Sequence, residues 1–512
     1  MIRRCVRMAV TAGAVLGLLS SAGCVAQTAA PHSVAASAAA TAGADQGWGQ
    51  PVEFGGQQTG ALMADVSCPA AGRCAAVGMD HSSASGTGPG AWVPFVVNQA
   101  AGTWGTVQRV VGLAALTDGQ DALFSAVSCA SAGNCTAVGG YTPPRGNTER
   151  NIPFAVSKVG GTWGQVTPIP GIAALTSTDS AHLGTVSCMS PGNCTAAGSY
   201  VLRFSPLQQQ AFVVSQVNGT WQKPRVLPGI AALNSGRHAE VESVSCHAGA
   251  CVVGGSFSVT SSGASQPFVA AEKGGTWDDP AQAVPGLPLP GPHQSGKGIV
   301  NQVSCAAAGR CVAVGSYVNK SDIREAFAVS EENGTTWHHA VVMPGASALQ
   351  GKSGRSSLLS VSCASVGNCS AGGVTFRTKR VGGERREFDA AFITNQHGYN
   401  SWGPAKEVPG SAALNKGSEA EIESISCAAT RTLATCTAAG YYTDGSGSSQ
   451  AMVVTETNSI WGQAIELPGS AALNTGGYGQ VKAVSCAAPG HCGAVGVVTS
   501  KASQLAFGAS QG

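Results

Sequence analysis

Two pairs of glutamates, Glu240/Glu242 and Glu421/Glu423, are spaced so that both carboxyls of a pair fall on one face of a strand. Two carboxyls facing a sugar could share the acid and base roles of glycoside hydrolysis. Alternation along a solvated strand end accounts for them equally well, and no catalytic residue is assigned. A second constellation is basic: Arg377, Lys379, Arg380, Arg385 and Arg386, with Glu384 and Glu387 among them. Such a cluster suits an acidic or polymeric ligand, and it also suits a solvated insertion. Metal and cofactor chemistry find little support. His338 and His339 are adjacent and so point to opposite faces of a strand. Gly345-x5-Gly351-Lys352-Ser353 is one residue too long for a phosphate loop, and Gly-x-Ser-x-Gly, His-Glu-x-x-His and calcium-loop patterns are absent from the sequence.

Cysteine carries the clearest spacing. Of 18 cysteines, 16 form short-range pairs. These are Cys68/Cys74, Cys129/Cys135, Cys188/Cys194, Cys246/Cys251, Cys305/Cys311, Cys363/Cys369, Cys427/Cys436 and Cys486/Cys492. Structural zinc would need four ligands from neighbouring pairs or periodic histidines, and the 10 histidines show no period. Local, even, periodic cysteines behind an export signal indicate disulfides in an oxidising compartment, acting as staples on each unit.

The elements that position these groups follow from the repeat. Each first cysteine ends a Val-Ser-Cys or Ile-Ser-Cys run, and successive ones lie 58 to 64 residues apart. In the second unit, AVSC (126–129), CTAVGGY (135–141), PFAVSKV (153–159) and WGQVTPIP (163–170) are four short runs separated by turn residues. Four antiparallel strands per unit describe a propeller blade. Trp48, Trp104, Trp163, Trp221, Trp277, Trp337, Trp402 and Trp461 each open a fourth strand; Trp92 alone stands off the repeat. Trp48 precedes every Val-Ser-Cys, and the last unit ends after its third strand. The two incomplete ends make one whole blade, which predicts an all-β, eight-bladed propeller whose N-terminal strand completes the last blade. A β-helix is the alternative, although its coils are shorter and need no terminal complementation.

The bulk properties agree. Only 11% of residues are charged, the net charge is +2 and 70 residues are glycine. That composition favours tight turns and packed strands, and the weak charge disfavours nucleic acid as a partner. Residues 1–23 combine Arg3, Arg4 and Arg7 with an apolar run from Met8 to Leu19, an export signal too short to span a membrane. Residues 24–46 are rich in Ala, Ser and Thr and read as a tether, with the propeller over 47–512.

Two resemblances add to this. Ser21-Ala22-Gly23-Cys24 resembles the bacterial lipobox, with Ser21 where Leu is usual, which implies lipid attachment at Cys24. Ser330-Glu331-Glu332-Asn333-Gly334-Thr335-Thr336-Trp337 resembles the Asp-box of sialidase-like propellers, with Glu332 at the Asp position, and other units keep Gly-Thr-Trp. This resemblance implies propeller geometry and little about activity. The sialidase arginine cluster has no counterpart; Arg150-Asn151-Ile152-Pro153 approaches one of its segments with a residue inserted. The expectation is a monomeric, lipid-anchored binding or scaffolding module at the cell envelope. Its ligand, a glycan or an envelope protein, would sit on the loops between second and third strands, where Trp92, Arg377, Lys379, Arg380, Arg385 and Arg386 lie. The membrane would be touched only through the anchor. A secreted, sialidase-like carbohydrate-active enzyme is the alternative.

Overall fold

The computed structural model describes residues 47–512 apart from 56–59, 82–89, 145–149, 179, 261–263, 278–279, 288–295, 335, 352–353, 382–383 and 502. The signal and tether, with Cys5 and Cys24, lie outside the described residues.

Eight antiparallel sheets follow one another, seven in the chain order first to fourth strand and the eighth with its fourth strand taken from the start of the described chain. Blade 2 is typical: Ala122–Ser131, Asn134–Tyr141, Ile152–Val159, and a fourth strand split into Thr162–Trp163 and Thr167–Pro168. The fourth strand is thus broken where the sequence suggests one run, because Gly164, Gln165 and Val166 lie between its two pieces and Gln165 bridges Val111 of the link before the blade. First strands of neighbouring blades pack against one another all the way round, blade 8 against blade 1 included, so they line the axis. Antiparallel order puts the first-to-second and third-to-fourth hairpins on one face of the ring. The second-to-third connections and the links between blades occupy the other. Closure is as expected: Val52–Phe54 pairs with Gln504–Ser510 through Val52↔Gly508, Glu53↔Phe507 and Phe54↔Ala506, and Trp48 bridges Gln511.

The Val-Ser-Cys motif owes its recurrence to this ring. In every blade the cysteine backbone N–H donates to the serine Oγ of the preceding blade, at 2.8 to 3.1 Å. The belt includes Cys68 N–H to Ser485 Oγ across the closure. It satisfies first-strand donors that have no strand beside them at the axis. A second belt lies nearby, where Thr185, Ser243, Gln302, Ser360 and Ser424 each accept from the next blade. Blade 8 has Ala483 at that position, and there Val66 N–H turns to its own neighbour Asp65 Oδ1 (2.8 Å).

A β-bulge interrupts the register of every first strand just before these belts. It presses a backbone carbonyl onto the second strand, where each blade carries a glycine: Gly78, Gly139, Gly198, Gly255, Gly315, Gly373, Gly440 and Gly496. A Cβ at any of them would sit 1.9 to 2.5 Å from that carbonyl oxygen. The bulge therefore requires glycine at this point of the repeat.

The apolar core lies between the blades. Phe95, Phe154, Phe212, Phe268, Phe327, Phe392 and Phe507 on third strands are fully buried among Val and Ala. The repeat tryptophans pack into the seam with the preceding blade; Trp104 joins Ala483, Val495 and Ala506 of blade 8.

All eight expected disulfides form, each across the first hairpin with Cα atoms 3.9 to 4.0 Å apart. Cys68 bonds Cys74, Cys129 bonds Cys135, Cys188 bonds Cys194 and Cys246 bonds Cys251. In the other four blades Cys305 bonds Cys311, Cys363 bonds Cys369, Cys427 bonds Cys436 and Cys486 bonds Cys492. They staple the hairpins as expected, and in seven of the eight the two halves of the bond sit in different surroundings. The second cysteines, Cys74, Cys135, Cys194, Cys251, Cys311, Cys369, Cys436 and Cys492, are at most 5% exposed. Each belongs to an apolar core cluster. The reason is position: this cysteine begins the second strand, which is covered on both faces, whereas the first cysteine, Cys68 excepted, is only half-buried. The sulfurs therefore fill core volume as well as closing a hairpin. Eight such bonds belong to a protein folded in an oxidising, extracytoplasmic compartment. Among the described residues no helix is long and apolar enough to cross a membrane.

Candidate functional site

The basic segment of blade 6, expected as a loop, is a β-hairpin. Asn368–Val381 and Glu384–Asn395 pair down to Val381↔Glu384, a little longer than the blade 3 hairpin of Asn193–Phe204 and Leu207–Val217, which pairs down to Phe204↔Leu207, and longer than those of the other six blades. The sequence carried a signal for a hairpin here, because Gly-Gly, as at 382–383, is a pair favoured in tight hairpins. The register sets Lys379 opposite Arg386 and Arg380 opposite Arg385 on the distal arms. Nearer the body, Arg377 lies 3.8 Å from Glu407 Oε2, and Arg355 contacts Glu387 (3.4 Å) while covering the Phe376 ring.

Trp92 stands at the same face but in blade 1, at the start of Trp92–Ala100. Its ring lies on that of His81, centroids 3.7 Å apart, and its backbone N–H donates to Asp121 Oδ1 (2.8 Å). Blades 7 and 8 stand between Trp92 and the blade 6 hairpin.

The two glutamate pairs do lie on axial strands, Ala239–His247 and Ala420–Ala429. Burial pushes Glu240 and Glu242 up together, and the charge of Glu240 raises Glu242 further. The second pair has a richer setting. Glu421 is pushed up to about 8, first by burial and then by the neighbouring carboxyls Glu423 and Asp389. Tyr441, opposite Glu421 in the register, lies with its hydroxyl 3.4 Å from Glu421 Oε2. Across the seam, blade 8 supplies Tyr478, Gln480 and Lys482. Lys482 Nζ donates to Glu423 Oε2 at 2.7 Å. With the Gln480 amide assigned in the orientation that satisfies both its ends, its nitrogen donates to Glu423 Oε1 (3.2 Å) and Tyr478 OH (3.0 Å) and its oxygen accepts from Lys482 Nζ (3.1 Å). Burial followed by the Glu423 and Glu421 charges pushes the Tyr478 hydroxyl to about 12; Tyr441 is pushed up for the same reasons.

Tyr441, Tyr478, Gln480 and Lys482 were missed from sequence. Aligning first strands would have found two of them, since Gln480-x-Lys482 occupies the positions of Glu421-x-Glu423 one repeat later. A bulge falls between Glu421 and the residues after it in each strand, so simple alternation does not show which side chains share a face. Among the described residues no three His, Cys, Asp or Glu come together to hold a metal.

No family model matches the chain, and no curated protein matches it. Solved structures with related architecture are distant. A Hadza microbial sialidase aligns at 10% identity and TM-score 0.39, over 88% of this chain and 66% of its own length. An ulvan lyase aligns at 10% identity and TM-score 0.43, over 82% of this chain and 96% of the lyase. The α-L-arabinofuranosidase of Fusarium graminearum aligns at 10% identity and TM-score 0.33, over 64% of this chain and 92% of the enzyme.

Proposed function

We propose that the chain is an exported binding or scaffolding module of a bacterial cell envelope. Cys24 carries the lipid that holds it to the membrane, and a glycan or envelope-protein ligand sits on the face of the second-to-third connections. One observation carries this: the two faces of the ring are used differently. The first carries the eight disulfide-closed hairpins. On the other, blade 6 extends a basic hairpin that ring closure does not require. Extensions beyond a rigid scaffold are where binding residues commonly sit. The test is retention of the mature protein on immobilised envelope glycans and envelope-protein fractions. Replacing Lys379, Arg380, Arg385 and Arg386 by serine is expected to lower retention on anionic polymers about tenfold or more and to flatten its salt dependence. Unchanged retention would remove the hairpin from the site.

A second reading, a secreted carbohydrate-active enzyme, is favoured by Glu421, which keeps its proton at neutral pH beside the Lys482-paired Glu423. A protonated acid next to a carboxylate is the division of labour that glycoside cleavage needs. Turnover on a polysaccharide panel, abolished by Glu421→Gln, would establish it; turnover indifferent to that change would rule these residues out.

A further inference from the structure

The seam between blades 7 and 8, where it opens at the axis, sets a glutamate pair against Gln480 and Lys482. Blade 4 also carries a glutamate pair at this level, Glu240 and Glu242, but faces Ile299 and Asn301 of blade 5. In blade 1 the matching first-strand positions hold Leu62 and Ala64, and in blade 2 Leu123 and Ser125. The ring closes there with apolar or small side chains, so closure does not demand polar groups at this level. Between blades 7 and 8 the same level holds Glu421, Glu423, Gln480 and Lys482, with Tyr441 and Tyr478 beside them. Burying such groups costs free energy, and a structural role would be served as well by leucine.

Three properties of the cluster define what it would accept. It is accessible, because the Glu423 and Lys482 side chains remain 19% and 29% exposed and Glu421, Tyr441 and Tyr478 are only partly buried. It mixes donors and acceptors: an ammonium, a carboxylate, two phenol hydroxyls and an amide fixed by its own bonds to Glu423, Lys482 and Tyr478. Its charges also compensate one another, because Lys482 offsets Glu423 and the carboxyl of Glu421 holds a proton at neutral pH. A cluster without net charge gives no advantage to an anion, whereas alternating donors and acceptors beside aromatic rings match the hydroxyls and apolar faces of a sugar.

From this geometry we infer a second ligand site, in the blade 7–8 seam at the axis, that takes a neutral hydroxyl-rich saccharide through Glu421, Glu423, Tyr478 and Lys482. It rests on the glycan form of the function proposed above and is separate from the basic hairpin of blade 6. Gln480 acts as a positioning residue, holding Glu423, Lys482 and Tyr478 in one frame.

The experiment uses the full mature chain and a panel of immobilised neutral oligosaccharides built on glucose, galactose, mannose and N-acetylglucosamine, with anionic polysaccharides alongside. Three proteins are compared with wild type: Glu423→Gln/Lys482→Met, which removes the ion pair as a unit; Tyr478→Phe, which removes one hydroxyl and spares the fold; and the blade 6 serine variant. The expected result is retention of at least one neutral oligosaccharide, weakened about tenfold by either seam variant and unaffected by the hairpin variant. Retention of neutral sugar that survives both seam variants overturns the inference. Retention of anionic polymers alone, sensitive only to the hairpin change, overturns it while leaving the proposed function standing. Failure of every saccharide overturns it too and leaves an envelope protein as the ligand of the proposed function.

Discussion

A single buried carboxyl shows how the repeat is held together. In blades 1, 3 and 6 a glutamine near the end of the third strand donates across the seam to a serine of the preceding blade: Gln99 to Ser510, Gln216 to Ser157, and Gln396 to Ser330. Blade 5 has Glu331 at this position, 1% exposed, and the preceding blade offers Ala271 in place of the serine. One carboxylate oxygen is left without a partner, and burial pushes Glu331 up to about 7 from 4.5. The unfolded chain releases this proton near 4.5 and the folded chain near 7, so between those values the unfolded state binds fewer protons. Stability must then fall as pH rises through this window, by about 3 kcal/mol at most. Glu331→Gln removes the dependence, so thermal unfolding at pH 8 should shift upward in the variant and at pH 4 should not. Equal shifts at both pH values would mean that Glu331 does not titrate as described.

At the level of the strand, the bulge, the glycine and the serine belt form one device. The bulge pushes a carbonyl against the second strand, glycine makes room for it, and the serine two residues after the bulge caps the next blade. Gly373→Ala should cost about 1–3 kcal/mol, because a Cβ would lie 2.0 Å from Ser357 O and 3.0 Å from the Leu358 Cα, backbone atoms that cannot turn aside. Ser304→Ala leaves the Cys363 N–H unpaired near the axis and should cost about 1–2 kcal/mol. Denaturant unfolding measures both, and a loss confined to Gly373→Ala would show that water replaces the belt. Blade number, strand count, disulfide pairs and the terminal clasp were legible in sequence, because each depends on residue types recurring at a fixed spacing. The belt was not, since Ser304 and Cys363 lie 59 residues apart and their contact exists only once blades stack. Nor was the asymmetry within seven of the disulfides: spacing pairs Cys363 with Cys369, but only the sheet shows that Cys369 is the one in the core. The seam cluster was half legible: Glu421 and Glu423 stood out as a pair, but Tyr478 and Lys482 meet them only across a blade boundary.

For the whole molecule, closure depends on very little chain. Three residues, Val52–Phe54, with buried Trp48, complete blade 8 and cover the edge of Gln504–Ser510. Removing residues 47–54 should expose that edge, and light scattering should then find larger species than the intact chain forms. A variant of unchanged size and stability would show that the clasp is dispensable. The closed ring also assigns its two faces different work: disulfide-closed hairpins on one, and the blade 6 hairpin and the connections between blades on the other. The most direct test is a hydrogen–deuterium exchange footprint of the full mature chain with whichever glycan or envelope protein it retains. Protection is predicted over 201–210, 318–325, 377–389 and 478–482, and not over the disulfide hairpins. Protection confined to the hairpins around Cys129/Cys135 and their counterparts would contradict the account.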